Sequence, residues 1–348
     1  MEVERFTSAV TDGEIAAINL ESARRGAWLR FARNARQPGL AEAIVDLERL
    51  AAEFLGDLDA LDRLETLAEQ FAATDGSFRG ALVEAEVAST AHRFAEARDH
   101  LGRAAALGAP PDDVSRQVLA IDQACGVGLD AVLAARRRIA AETGRLEDLV
   151  PLGAVLADLQ SFEEADAVYR RAFDAYDGVS PFPLAWVSFQ LGMLWGELAL
   201  APDTAVAARW YRRAIACLPG YVKARVHLAE IFIHRGRPRD AEALLTPALT
   251  SGDPEVSWRL ADALSAQGRR EAADALLDAA RSRFDELLRR HCLAFADHAA
   301  EFYAGSGGDC ARALELARVN ATNRPTRRAL AQLDTIATLA PERAASPA

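Results

Sequence analysis

The chain predicts an all-α fold, a right-handed superhelical solenoid of antiparallel helix pairs, and two observations carry that prediction. The first is a recurring set of small and bulky residues. Ala207, Tyr211, Ala214 and Pro219 return as Ala241, Leu245 and Ala248, then as Ala273, Leu277 and Ala280. The intervals are 34 residues (207 to 241) and 32 residues (241 to 273). Ahead of each set stands another: Leu191-Gly192 with Trp195, Leu228-Ala229 with Phe232, and Leu260-Ala261 with Leu264. Small residues at these offsets let two helices approach closely. A unit of this length cannot hide its apolar side alone and must stack on the next. The second observation is that apolar residues step by three and four throughout, with no convincing alternating stretch.

The elements follow in order. Residues 1–38 hold Trp28, Leu29 and Phe31 among Arg24, Arg25, Arg30, Arg33 and Arg36, and are expected as a capping arm or helix over the first repeat. A solenoid is expected over 39–340. Residues 39–76 form a helix pair, 92–105 a second helix of a pair, and 113–142 a degenerate pair. The clearest repeats are 145–177, 184–219, 221–252, 254–286 and 291–325. Breaks at "GAPPDD" (108–113), "GVSPFP" (178–183), "LPGY" (218–221), "SGDP" (251–254) and "GSGGD" (305–309) fall where pairs must turn. Asp113, Asp203, and Asp253 or Asp309 precede apolar-periodic runs, where a carboxylate caps free helix N–H groups. Residues 341–348 are expected as a disordered tail. Ala214→Leu or Ala248→Leu is expected to overpack a helix contact and cost about 1–3 kcal/mol, which thermal melts of each variant would check.

The segments "FQLGMLW…AARWYRRAIACLP" (189–219), "VHLAEIF…RPRDAEALLTPAL" (226–249) and "WRLADAL…REAADALLDAA" (258–280) resemble the tetratricopeptide repeat family. "PLGAVLADLQSFEEADAVYRRAF" (151–173), "HRFAEARDHLGRAA" (92–105) and "CARALELARVNATNRP" (310–325) fit it in part, so the resemblance runs from about residue 80 to about 325. It extends to stand-alone bacterial arrays of such repeats. The resemblance implies a non-enzymatic scaffold that binds a protein or peptide segment in a concave groove lined by the first helices of the pairs. Carried onto this sequence, the groove positions are Trp186, Phe189 and Met193, then Lys223, Val226, Glu230 and His234, then Glu255, Trp258 and Asp262, with Glu147, Val150, Ala154 and Asp158 from the repeat at 147–158. Trp195 falls at the interior aromatic position and is expected in the core. The family's carboxylate-gripping subclass needs Lys and Asn on these positions. Here Lys223 is the only lysine, and Asn19, Asn34, Asn320 and Asn323 lie elsewhere.

Composition bounds the remaining classes. With 51% hydrophobic and 26% charged residues the balance is that of a folded soluble chain. A net charge of −11 argues against nucleic acid, and the basic runs near Arg136 and Arg212 read as solvated faces interleaved with acids. Acidic neighbours of the groove suit a partner with apolar anchors and basic flanks. No 18-residue apolar run and no signal-like N-terminus occur, so the expectation is a cytoplasmic protein without membrane insertion. Cys125, Cys217, Cys292 and Cys310 are scattered, as reduced thiols rather than a disulfide frame or zinc site.

Chemistry-bearing patterns are few. No phosphate-cradling glycine loop, nucleophile elbow or zinc-protease motif is present, so no catalytic residue and no cofactor is expected. His227, Glu230 and His234 step by three and four along one helix face and are weak candidates for a metal, although packed histidines on a polar face explain the same spacing. His298 and Glu301 form a lesser pair. Alternatives to the scaffold are an accessory subunit of an enzyme or biosynthetic complex and, third, a metal- or small-molecule-binding protein. Partner and oligomeric state have no signature in the residues.

Overall fold

The computed structural model describes residues 10–344, and among them the regular structure is helical throughout. The α-helices are α1 (Gly13–Arg33), α2 (Leu40–Leu55), α3 (Ala60–Thr74), α4 (Phe78–Thr90), α5 (Phe94–Ala106), α6 (Pro111–Cys125), α7 (Leu129–Thr143), α8 (Leu146–Asp158) and α9 (Phe162–Ala175). They continue as α10 (Pro181–Met193), α11 (Thr204–Cys217), α12 (Val222–His234), α13 (Pro238–Leu245), α14 (Pro254–Ala266), α15 (Arg270–Ala304), α16 (Cys310–Asn323) and α17 (Arg327–Ala344). A π-helical turn covers Leu194–Leu198 and a 3₁₀ segment covers Thr246–Ser251. Helices α4–α5, α8–α9, α10–α11, α12–α13 and α14–α15 pack as consecutive pairs. The fold is an all-α array of tetratricopeptide-like helix pairs.

Capping chemistry sets several boundaries. Asp203 accepts from the backbone N–H groups of Ala205 and Val206, Asp253 from Glu255, and Asp309 from Arg312. Asp113 does not cap: α6 starts at Pro111, whose fixed φ and missing N–H suit a first helical position, so Asp113 sits inside the first turn. The expected tail over 341–348 is corrected at its start, since α17 runs through Ala344, and its remainder lies outside the described residues. Within 1–38, the structure forms α1, and residues 1–9 lie outside the described residues.

The chain divides into two compact units. The first comprises residues 1–22, 54–56 and 129–251. Its pairs close through small residues beneath large rings. A Cβ on Gly192 would lie 2.4 Å from Cε1 of Tyr211, and one on Gly153 would lie 2.5 Å from Cε1 of Tyr169. Both tyrosines are fully buried, so the glycines are where a ring meets a backbone. Ala207, Ala214 and Ala241 are wholly buried as well. Phe54 packs at 5.1 Å on Phe182 and at 4.7 Å on Tyr221.

Trp195 departs from its expected core position. The π-helical turn at 194–198 inserts one extra residue at the end of α10 and rotates the tryptophan outward. Its indole is only half-buried and donates to Asp166 Oδ1 at 2.8 Å.

The second unit comprises residues 23–53, 57–128 and 252–348. Its core is not built from sequence neighbours alone. Ile44, Leu64 and Phe71 of α2 and α3 share one apolar cluster with Phe284, Phe302 and Ile336 of α15 and α17. Arg283 donates to Asp59 at 2.8 Å and Arg290 to Asp62 at 2.9 Å, pairs more than 220 residues apart in sequence. Gly126 ends α6 with φ +68, a left-handed conformation that a side chain resists, and a Cβ there would stand 3.2 Å from Cα of Thr326. Glu48, 1% exposed, accepts from Arg24 and Arg63 at 2.9 Å and from the Trp28 indole at 2.7 Å.

His92 makes this unit sensitive to acid. Its Nδ1 lies 3.2 Å from the carbonyl of Leu293, and Asn323 donates to its own carbonyl at 2.9 Å. Burial first, then the nearby Arg324 guanidinium, lower its pKa to about 4, against the opposing pull of Asp297. The folded state therefore resists a proton that the unfolded chain accepts near pH 6.5. Stability contributed here is complete above that pH and is lost as pH falls towards 4. The melting temperature should decline over that window, and His92→Asn should flatten the decline if the two profiles are measured side by side.

Candidate partner-binding face

The groove residues expected from sequence divide between the two units and differ sharply in accessibility. In the first unit, Trp186 and Met193 lie seven residues apart on α10, along one line of the helix, and both are half-buried. Lys223 and Glu230 on α12 are half-buried as well, and His234 is exposed. Phe189 and Val226 are buried and leave the expected groove. Phe189 is held by Tyr211 at 5.6 Å, Tyr221 at 5.2 Å and His227 at 5.2 Å, since the aromatic of the second helix reaches across the pair into the space beside it.

In the second unit Glu255 and Asp262 on α14 are half-buried and already engaged. Glu255 pairs with His298 Nδ1, and Asp262 Oδ1 accepts from Ser306 Oγ at 2.7 Å. Trp258 is 3% exposed. Its ring meets Phe302 edge-on at 5.4 Å, and the Arg259 guanidinium lies 3.5 Å from its centroid. Trp258 is therefore core, covered because α15 doubles back along α14.

The weak metal candidates rearrange. His227 Nδ1 stands 2.5 Å from Glu197 Oε1 and 3.9 Å from Glu230 Oε2. His234 is not part of the group: its Nδ1 faces the carbonyl of Glu230 at 2.9 Å, one turn back on its own helix. Glu197 replaces it, delivered by the π-helical turn, with the Tyr211 hydroxyl 3.4 Å away. Ligand atoms of Glu197, His227 and Glu230 lie within 4.8 Å of one another. Sequence spacing could not find Glu197, which comes from the neighbouring pair, 30 residues away.

A second group, Asp62, Glu65 and His291, lies in the second unit. His291 sits at a bend of α15 (φ −137, ψ 51), with Nε2 2.8 Å from Asp62 Oδ1 and Nδ1 3.5 Å from Glu65 Oε1. Arg290 and Arg93 already pair with these carboxylates. The group ties α3 to α15 as an ionic clasp rather than standing ready for a cation.

No family model matches this chain, and no curated protein matches it. Solved structures do. The C-terminal part of a TPR repeat-containing protein from Cytophaga hutchinsonii is 12% identical, with 84% of this chain and 98% of that chain covered and a TM-score of 0.35. An IFIT1 monomeric mutant with m7Gppp-AAAA is 14% identical, with 89% and 74% covered and a TM-score of 0.40. The human IFIT1 dimer with PPP-AAAA is 15% identical, with 91% and 75% covered and a TM-score of 0.40. The exclusion of nucleic acid drawn from net charge is corrected here, since the IFIT1 structures similar to this chain hold a capped and a triphosphorylated oligonucleotide. Among the described residues, no helix is long and apolar enough to cross a membrane.

Proposed function

We propose that the protein is a non-enzymatic interaction scaffold that receives a protein segment on the α10–α12 face of its first unit. The observation that carries this reading is the half-exposed line of Trp186 and Met193 on α10. Phe189, Leu191 and Gly192 already fill the inward positions of the same helix. Half-exposed apolar side chains of this size are poor in water, and large aromatics often supply the energetic centre of an interface. Lys223, Glu230 and His234 on α12 add polar groups that fix the orientation of a bound segment. The arrangement suits binding, as helical-repeat folds typically do.

The test is a Trp186→Ala, Met193→Ala variant, since a Phe189 substitution would open the core. Crosslinking with mass spectrometry in the native cell first defines the partner. The variant should keep its helicity and lose that partner. Retained capture with unchanged helicity would dismiss this face.

A further inference from the structure

A strongly basic surface lies on the first unit, and the overall acidity of the chain conceals it. Residues 204–239 contain eight Arg and Lys residues and a single acid, Glu230, in a chain of net charge −11. α11 itself carries Arg209, Arg212 and Arg213 and no carboxylate. At 100° per residue these three and Trp210 share one arc, opposite the buried Ala207, Tyr211 and Ala214.

Three of these arginines stand without a carboxylate, whereas a set in the second unit is paired. Arg24, Arg79, Arg93, Arg283 and Arg324 of the second unit all pair with carboxylates. On the basic surface, Arg209, Arg212 and Arg239 are exposed and make no ion pair with any described residue. Arg171 on α9 is in the same state. On α11 and the start of α13 the acids are Asp203, which caps α11 beside Arg209 and Arg235, and Asp240 and Glu242, of which Asp240 pairs with Arg237; on α9, Glu163, Glu164, Asp166 and Asp174 offset Arg170 and Arg171.

Aromatic rings are set among these charges. Trp210 is half-buried, with the Arg170 guanidinium 5.3 Å and the Arg213 guanidinium 5.6 Å from its ring centroid. Arg213 also lies 4.0 Å over Phe173. One helix along, Arg212 and Arg237 share the ring of Phe232, at 5.5 and 4.7 Å. Like charges held together cost free energy, and a polyanion relieves it. Planar guanidinium and indole groups in addition give bases something to stack on, which a carboxylate polymer does not exploit.

We propose that the outward face of α11 and the start of α13 binds single-stranded nucleic acid, with phosphates on Arg209, Arg212 and Arg239 and a base stacked at Trp210. This surface is made by second helices of the pairs and is separate from Trp186 and Met193, so it stands independently of the scaffold reading.

The experiment is fluorescence anisotropy with a labelled single-stranded RNA of mixed sequence, about 12 nucleotides long to cover one such site. Binding is expected at about 50 mM salt and should weaken by about 20-fold at about 200 mM if about three phosphates are held. An Arg209→Gln, Arg212→Gln variant should bind more weakly and lower the salt slope. Trp210→Ala should lose about tenfold and Trp210→Phe much less. Circular dichroism checks each fold. If Trp210→Ala unfolds, the exposed arginine pair carries the test. No anisotropy change at low salt would overturn the proposal. It would equally fall if polyglutamate competes as well as RNA while Trp210→Ala binds normally, an outcome that makes the surface a general polyanion face. Loss of RNA binding with the protein partner of Trp186 retained would separate the two sites.

Discussion

Glu48→Leu is expected to destabilise the fold by about 3 kcal/mol, because it removes the acceptor for three donors at once while leaving charge behind. Glu48 is 1% exposed and receives Arg24, Arg63 and the Trp28 indole. The Arg24 side chain is 10% exposed and retains its pairing with Asp57, at 2.8 Å, after the change. That residual pair places the expected loss at the low end of the range for a broken buried ion pair. Urea denaturation followed by circular dichroism measures it. A loss below about 1 kcal/mol would show that the remaining partners, Asp57 among them, compensate both guanidiniums. Arg24→Met with Glu48→Leu should cost less than the single change, since neither charge is then stranded.

Gly192→Val should cost about 3 kcal/mol by a different mechanism, forced overpacking. Its Cβ would stand 2.4 Å from a carbon of Tyr211. Tyr211 cannot swing away, being 1% exposed with Phe189 and His227 against it at 5.6 and 5.5 Å. Gly102 supplies the contrast: it lies in α5, and a Cβ there meets nothing within 4 Å. Gly102→Ala should therefore stabilise by about 0.5–1 kcal/mol, through the smaller conformational freedom left to the unfolded chain. Melting temperatures that move in the same direction for both glycines would contradict this packing.

The helix pairs were legible because close helix contacts demand small residues at fixed steps, as at Ala207, Gly192 and Ala241. What covers a helix was not legible. Periodicity assigns Phe189 and Trp258 to a side of a helix, yet only the packed neighbours decide that Tyr221 covers the first and Phe302 the second. Glu197 was hidden for a related reason: the extra residue of the π-helical turn shifts it out of the expected register. The core of the second unit left no local signature at all, since Ile44 and Phe284 meet across most of the chain. Charge was misread through averaging. A net value of −11 describes the whole molecule and conceals the local run of basic residues over 204–239.

The shared cluster of α2 and α3 with α15 and α17 has a consequence during synthesis. A linear repeat array can add one pair at a time as it leaves the ribosome. Here Ile44, Leu64 and Phe71 must wait for Phe284 and Ile336 before their apolar surface is covered. At ordinary translation speeds of roughly 5–20 residues per second, that wait is on the order of tens of seconds. The nascent chain therefore passes through a long interval with half a core, the circumstance in which chaperone capture and aggregation compete with folding. Pairings of such high contact order also slow refolding of the complete chain.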